Sequence, residues 1–268
     1  MVGLSYILLS KEAKKLKQNQ YSHGIDYLGS RQGSWLLKRL GIKKRYGIRG
    51  YAGGDNLCTK YIEFKINQHV SKTGINFLKL VNQDCTVEID PRPQIYLTEE
   101  EKNSANSIWN FSSIHSDKIV IAPGAGFPEK SWGDEFFVVL IKKILDKTNS
   151  SICVIGSSED KKKINITHKR LLNLCGQLKL RESAALVSES DFLISNSSLA
   201  MHLAGAFHIP SITTLGPCYD SAQLHHKQWG YDENLMLGKE INQNRLNTYK
   251  PEEVFSEFSA YFHKNIYP

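Results

Sequence analysis

The chain has 268 residues, 41% of them hydrophobic, which is enough for real cores and long enough for two domains. Its mean hydropathy of -0.35 and 10% aromatic content exclude a disordered chain, and no apolar run is long enough for a membrane-spanning helix. The formal charge is +7, and all of the surplus lies in residues 1–115, with 17 basic and 10 acidic residues, against 17 and 17 in residues 116–268. A basic first part suggests an anionic partner such as nucleic acid, phosphorylated lipid or a membrane surface; a merely solvated basic face is the alternative.

The opening MVGLSYILLSKEAKKLK places its basic residues after its apolar run, the wrong order for a secretion signal. SYILLSKEAKKLKQ reads as strand plus helix, GSWLLKRLGI as a short helix and KKRYGI as an extended piece. The stretch from Tyr51 to Val81 reads as a loop and then a helix of mixed periodicity. DPRPQIYLTEEEKN, with two prolines and acidic helix-start residues, reads as a linker, and the domain boundary is expected between residues 100 and 117. Parallel α/β domains usually carry a first strand, loop and helix ahead of a segment like SYILLS. Only Met1 to Leu4 stand in front of it here, so the first domain is expected to be small or to lack its opening unit.

The second part is clearer. IVIAPGAG, residues 119–126, is an apolar strand followed by a glycine-rich turn, and DEFFVVLIKKILDKT follows with helical spacing and Asp134 as candidate N-cap. A strand over residues 152–155 ends in Gly-Ser-Ser-Glu. A short strand near Leu174 precedes a helix from about Leu180 to Ser188. DFLISNSS is a strand and loop, LAMHLAGAF a helix, and IPSITTLGP a strand ending in Gly-Pro. PEEVFSEFSAYFHKNI predicts a final amphipathic helix with Pro251 in its first turn. Apolar strands alternating with helices predict a parallel sheet covered on both faces. Loops starting near Gly124, Gly156, Ser195 and Gly216 then gather at the carboxyl ends of the strands, where such sheets bind ligands.

Each loop has a plain reading beside a functional one. Ser195, Asn196, Ser197 and Ser198 precede a helix whose first amides can hold an anion such as pyrophosphate; they also fit an ordinary serine cap. His202, in the first turns, suits a phosphate contact or a half-buried core position beside Met201. Gly124-Ala125-Gly126 offers backbone amides and Lys130 a cation, while Trp132 reads as packing. The sequence there is neither a P-loop nor a dinucleotide fingerprint. Ser157 belongs to the second loop, and Glu159 fits either a ribose-binding carboxylate or a surface charge opening EDKKK. No GxSxG is present. Cys58, Cys85, Cys153, Cys175 and Cys218 are not spaced for zinc and read as the reduced thiols of a cytoplasmic protein, and His225-His226 lacks partners at metal-ligand spacing. His23, Asp26 and Arg31 are a candidate cluster in the first part.

Taken together, Pro123–Gly126 with Lys130-x-Trp132, Gly156–Glu159, Leu174-x-Gly176 with Leu180, Ser195–His202, Pro210 and Leu215-Gly216-Pro217 resemble the lipopolysaccharide heptosyltransferase family of glycosyltransferases. The six elements run in register over about 100 residues, and a weaker resemblance reaches into Gly24–Ile48. The resemblance implies two facing Rossmann-like domains (the GT-B fold), the first incomplete. Residues 1–112 would be the acceptor domain, 113–250 the nucleotide-sugar domain and 251–268 a C-terminal helix. It implies an inverting glycosyltransferase that moves heptose or a similar sugar from a donor such as ADP-heptose to the acidic inner core of lipopolysaccharide. It implies no cofactor or metal, and a cytoplasmic place at the inner face of the inner membrane. Nucleic acid is not expected as a partner, because the sequence has no interleaved aromatic-basic repeat.

The resemblance carries specific roles. Gly124, Ala125, Gly126, Lys130, Ser157, Glu159, Asn196, Ser197, Ser198, His202 and Gly216 would bind the donor, with Lys130 and His202 at its phosphates and Glu159 at its ribose. Arg31, Lys43, Lys44 and Arg45 would meet the acceptor. Two departures stand out. Ser197 occupies the place of the family's aspartate and Leu199 that of its glycine. The Gly-Asp loop that carries the family's general base has no counterpart before Ser5, and Asp26, the nearest carboxylate, lies in what resembles a later strand. No catalytic residue is therefore assigned. A relative that binds a nucleotide sugar or a protein partner without catalysis is the competing reading, with a split enzyme as one form of it.

Overall fold

A computed structural model describes residues 11–53, 57–81, 90, 92–111, 116–242 and 245–266. The expected SYILLS strand, Cys85 and the expected boundary at 112/113 lie outside the described residues. By internal packing the chain divides into Met1–Pro91 and Arg92–Pro268.

The first unit runs α1 (Lys11–Gln18), β1 (His23–Ile25), α2 (Arg31–Arg39), β2 (Lys44–Arg49), β3 (Lys60–Glu63) and α3 (Ser71–Val81). Its three strands pair in parallel in the order β1-β2-β3. Ser30 caps α2, its hydroxyl accepting the Gly33 N–H at 2.9 Å. Tyr46, Ile48 and Phe77 form a small core, joined by Ile62, Phe64 and Leu80. The loop-then-helix expected after Tyr51 contains a strand as well. KYIE is too short to show a period, and its place is set by pairing with β2.

The second unit starts ahead of the expected boundary because α4 (Glu99–Trp109) packs into its core. Trp109 is buried among Val120, Leu186 and Val187, and its indole N–H reaches the Leu186 carbonyl. Thr98 and Glu101 close a reciprocal capping box on α4. Six parallel strands follow: β4 (Lys118–Ala122), β5 (Ser151–Val154), β6 (Leu171–Asn173), β7 (Phe192–Asn196), β8 (Ser211–Thr214) and β9 (Asn234–Leu237), in the spatial order β6-β5-β4-β7-β8-β9. The connecting helices are α5 (Asp134–Lys147), the short α6 (Asp160–Lys163), α7 (Leu180–Ser188), α8 (Leu199–Phe207) and α9 (Ala222–Trp229). A β10–β11 ribbon (Lys239–Asn242, Arg245–Asn247) leads to α10 (Pro251–Ile266).

Period-two alternation splits the core between the two sheet faces. Ile119, Ile121, Phe192, Ile194 and Ile212 face α5 and α10, which contribute Phe137, Leu140, Ile144 and Phe258. Val120, Cys153 and Leu193 face α4, α7 and α8. Complete burial of each large side chain contributes about 1.5–3 kcal/mol. Asp134 proves to be the first helical residue rather than the cap; Gly133 holds the cap position at φ 128°, which suits a residue without Cβ.

Candidate functional site

The sheet order reverses between β4 and β7, and ligands of open α/β sheets bind outside the carboxyl ends of strands at such a reversal. All four expected loops converge there. A cavity of about 550 Å³ opens over the ends of β4 and β5 and the start of α8. Gly124, Ala125, Gly126, Ser157, Glu159 and Ser198 line it, as anticipated, with Ile155, Leu178, Leu199 and Leu203 as an apolar wall. Glu159 is exposed at the rim, where its carboxylate can accept two hydroxyl hydrogens.

Asp160, unflagged in the sequence, organises this cavity. It is buried and accepts from the Ser157 N–H at 2.8 Å and the Ser157 hydroxyl at 2.7 Å. A Cβ at Gly156 would lie 2.8 Å from its Oδ2, so glycine is what admits the carboxylate between the loops. Ser157 therefore lines the cavity with its hydroxyl already donated. The charged run EDKKK concealed this: burial of one acid within a charged run leaves no periodic trace.

Beside the cavity, toward β8, lies a cluster of polar and basic side chains. Lys130, ending a 3-10 turn over Pro128–Lys130, is half-buried, packs over the Phe127 ring at 5.4 Å and makes no ion pair among the described residues. Ser197 Oγ and His225 Nε2 are 2.8 Å apart. His202 Nδ1 is 2.8 Å from the Tyr231 hydroxyl, and burial pushes that phenol up to about 12, so it stays neutral. The His225 imidazole is held down at about 4, first by burial, then by the charge of Lys130 and the neighbouring His202 and His226. His225 was read from the sequence only as half of an unpartnered His-His pair; its partner Ser197 is 28 residues away.

The serine-cap alternative fails for α8. Ser198 stands at the N-cap with no side-chain bond to the helix, and Ser197 is engaged with His225. The first amides of α8 are thus left without a side-chain cap beside Lys130's loop.

Three expected contact residues have other work. Asn196 is fully buried: its Oδ1 accepts the Trp132 N–H at 2.9 Å and its Nδ2 donates to the Pro123 carbonyl at 2.6 Å. It ties the β4 loop to the turn that carries Lys130. Gly216 is a close-approach position, since a Cβ there would lie 2.5 Å from the Ser131 carbonyl oxygen and 2.7 Å from that of Glu129. Arg45 donates to the carbonyls of Leu57 at 2.7 Å and Ile42 at 2.6 Å, so its guanidinium ties the turn that enters β2 to the loop that enters β3. Arg31, Lys43 and Lys44 remain exposed.

The first-unit cluster does not assemble. His23 stacks on Tyr46 at 6.0 Å and meets Ser22, whereas Asp26 is buried against Gly33, and no hydrogen bond or ion pair joins His23, Asp26 and Arg31 among the described residues. Burial raises the Asp26 carboxyl above its ordinary value, against the lowering effect of nearby backbone N–H groups. No three His, Cys, Asp or Glu side chains gather as a metal site among the described residues, and no described helix is long and apolar enough to cross a membrane.

A parallel sheet in this order, with glycine-rich and serine-rich loops meeting at its reversal, defines a Rossmann-type ligand-binding unit. Comparison with known proteins makes this specific. A family model for glycosyltransferase family 9 (heptosyltransferase) matches residues 9–250, and the chain belongs to that family. Lipopolysaccharide heptosyltransferase 2 of Escherichia coli K12 is 28% identical over 134 residues, 47% of this chain and 38% of that protein. Lipooligosaccharide heptosyltransferase 2 of Haemophilus ducreyi is 29% identical over 110 residues, 37% of this chain and 31% of that protein. These matches thus span well under half the length of the relatives.

Among solved structures, E. coli ADP-heptose lipopolysaccharide heptosyltransferase II superposes with a TM-score of 0.70 at 18% identity, over 97% of this chain and 82% of that one. An E. coli heptosyltransferase solved with ADP gives 0.67 at 16% identity, over 98% and 80%. The α/β fold is that of these heptosyltransferases.

Proposed function

We propose that the chain transfers heptose, or a closely similar sugar, from a nucleoside-diphosphate sugar to the acidic inner core of lipopolysaccharide, with inversion at the transferred carbon. The single observation that carries the donor half is the pairing, at the β4–β7 reversal, of a cavity with the Lys130 cluster beside it. The first is nucleoside-sized with a carboxylate rim, and the second holds a lysine that makes no ion pair among the described residues, beside a helix start without a side-chain cap. The nucleoside occupies the cavity, its ribose hydroxyls donate to Glu159, and the diphosphate lies against Lys130 and the first amides of α8. The E. coli relative solved with ADP supports an adenine nucleotide.

In transfer, the acceptor hydroxyl oxygen bonds the sugar carbon as its bond to the diphosphate breaks, and the electron pair leaves on the phosphate oxygen. Lys130 stabilises that developing charge. The acceptor proton goes to a base to which no residue here is assigned. The first unit takes the acceptor, with exposed Arg31, Lys43 and Lys44 toward its phosphates; the basic surplus of residues 1–115 supports this. The protein works in the cytoplasm at the membrane face where such an acceptor is displayed.

Calorimetric titration with ADP, UDP, GDP and dTDP tests the donor half. Selective binding of ADP is expected, and Lys130→Ala should weaken it about ten- to hundredfold, the loss of one or more charge-assisted hydrogen bonds. Unchanged affinity in that variant refutes the placement of the diphosphate.

A further inference from the structure

The Ser197–His225 contact joins the segment between β7 and the start of α8 to α9. The His225 ring lies 4.5 Å from Tyr219 of the loop after β8 and 6.5 Å from Trp229 of its own helix. The charged and titratable groups bearing on it are Lys130 from the turn after β4, His202 from α8 and His226 from α9, all bases. Glu129 and Asp220 act on Cys218 in the adjoining loop, and Lys130 acts there as well. No carboxylate is among the groups that act on His225. Without a ligand the imidazole is therefore kept neutral, whereas a bound dianion would reverse the sign of its surroundings.

Serine suits both states. Its hydroxyl can donate to a neutral ring nitrogen and accept from a protonated one, whereas a carboxylate can only accept and would hold the ring charged beforehand. Lys130 offers one positive charge and the start of α8 about half of one, against the two negative charges of a diphosphate diester. About half a negative charge is then left unmatched.

We infer that the Ser197–His225 pair is a proton-accepting element of the donor site: binding a nucleoside-diphosphate sugar draws a proton from solvent onto His225, which completes the neutralisation of the diphosphate. The inference rests on the donor-site reading above. No covalent bond of the ligand changes in this step; one solvent proton becomes one imidazolium N–H.

The test uses ADP-glucose, because its diesterified diphosphate does not titrate near neutrality, unlike the terminal phosphate of ADP. Binding heats are measured from about pH 5 to about pH 8 in buffers of different ionisation enthalpy, on the full chain and on His225→Asn and His202→Asn. The full chain should take up close to one proton in the acidic part of that range, with the dissociation constant rising about tenfold for each unit by which the pH is raised there. His225→Asn should bind with heats independent of the buffer and with flat pH dependence, and His202→Asn should retain the uptake. Buffer-independent heats in the full chain, or uptake that survives in His225→Asn, overturn the inference while leaving the donor site standing. No binding of ADP-glucose or ADP at any pH overturns the donor-site reading itself, and the inference with it. Thermal melts of the variants separate misfolding from loss of the proton: His225→Asn must melt as the full chain does for its flat profile to count in favour.

Discussion

Asn196→Ala separates positioning from contact at the donor site. The side chain is fully buried and its amide is committed in two directions, to the Trp132 N–H at 2.9 Å and to the Pro123 carbonyl at 2.6 Å. Truncation leaves both partners in a dry interior. An unsatisfied buried group costs about 1–3 kcal/mol, and some relaxation is available because the loops they belong to reach the surface, so the pair should lose about 2–4 kcal/mol. At about 2–4 °C per kcal/mol for a unit of this size, the melting midpoint should fall by roughly 4–16 °C. The assay is a thermal melt read beside calorimetric ADP titration at a temperature where the variant is folded. Affinity should fall less than in Lys130→Ala, because the Lys130 turn is loosened but its ammonium is kept. A variant that melts like the parent yet loses all ADP binding refutes the reasoning, since it would make Asn196 a ligand contact.

Two further outcomes follow from the same geometry. Glu159→Gln at the cavity rim should weaken ADP about fivefold, the worth of roughly one hydrogen bond, and leave 2′-deoxy-ADP nearly unchanged, as competitive titration can show. Asp26→Asn should stabilise the chain at neutral pH. Burial raises the folded-state value of this carboxyl, so its ionised form costs stability above that raised value, and the cost fades as pH falls through it toward the unfolded value of 3.8. Oδ2 of Asp26 has no hydrogen-bond partner among the described residues, so the amide nitrogen displaces none there. Melts of parent and variant should differ at neutral pH and converge under acid; a variant less stable at neutral pH contradicts the burial argument.

Much of the second unit was legible in the residues themselves. Glycine or small polar residues punctuate each apolar strand, so β4, β7, β8 and the helix over Leu180–Ser188 fall where the pattern puts them. Gly124, Glu159 and Ser198 line the cavity, and their place is legible for the same reason, because a loop at the carboxyl end of a parallel strand is recognisable from its strand. Local pattern carries no information about partners distant in sequence. It could not separate Asn196, which turns inward to Trp132 across 64 residues, from Ser197, which meets His225.

Composition and periodicity by themselves determined the parallel α/β class, the strand-end loops and the concentration of basic charge in the first part, because each is a property of neighbours along the chain. Only the tertiary structure decided that α4 belongs to the second unit, that Asp160 is a buried organiser rather than a surface charge, and that Arg45 serves loops of its own unit. The same holds for His225, which meets Ser197 and Lys130. Each of those outcomes depends on burial and on hydrogen bonds between segments that the chain brings together only when the sheet closes, and neither burial nor partner identity is written in local sequence.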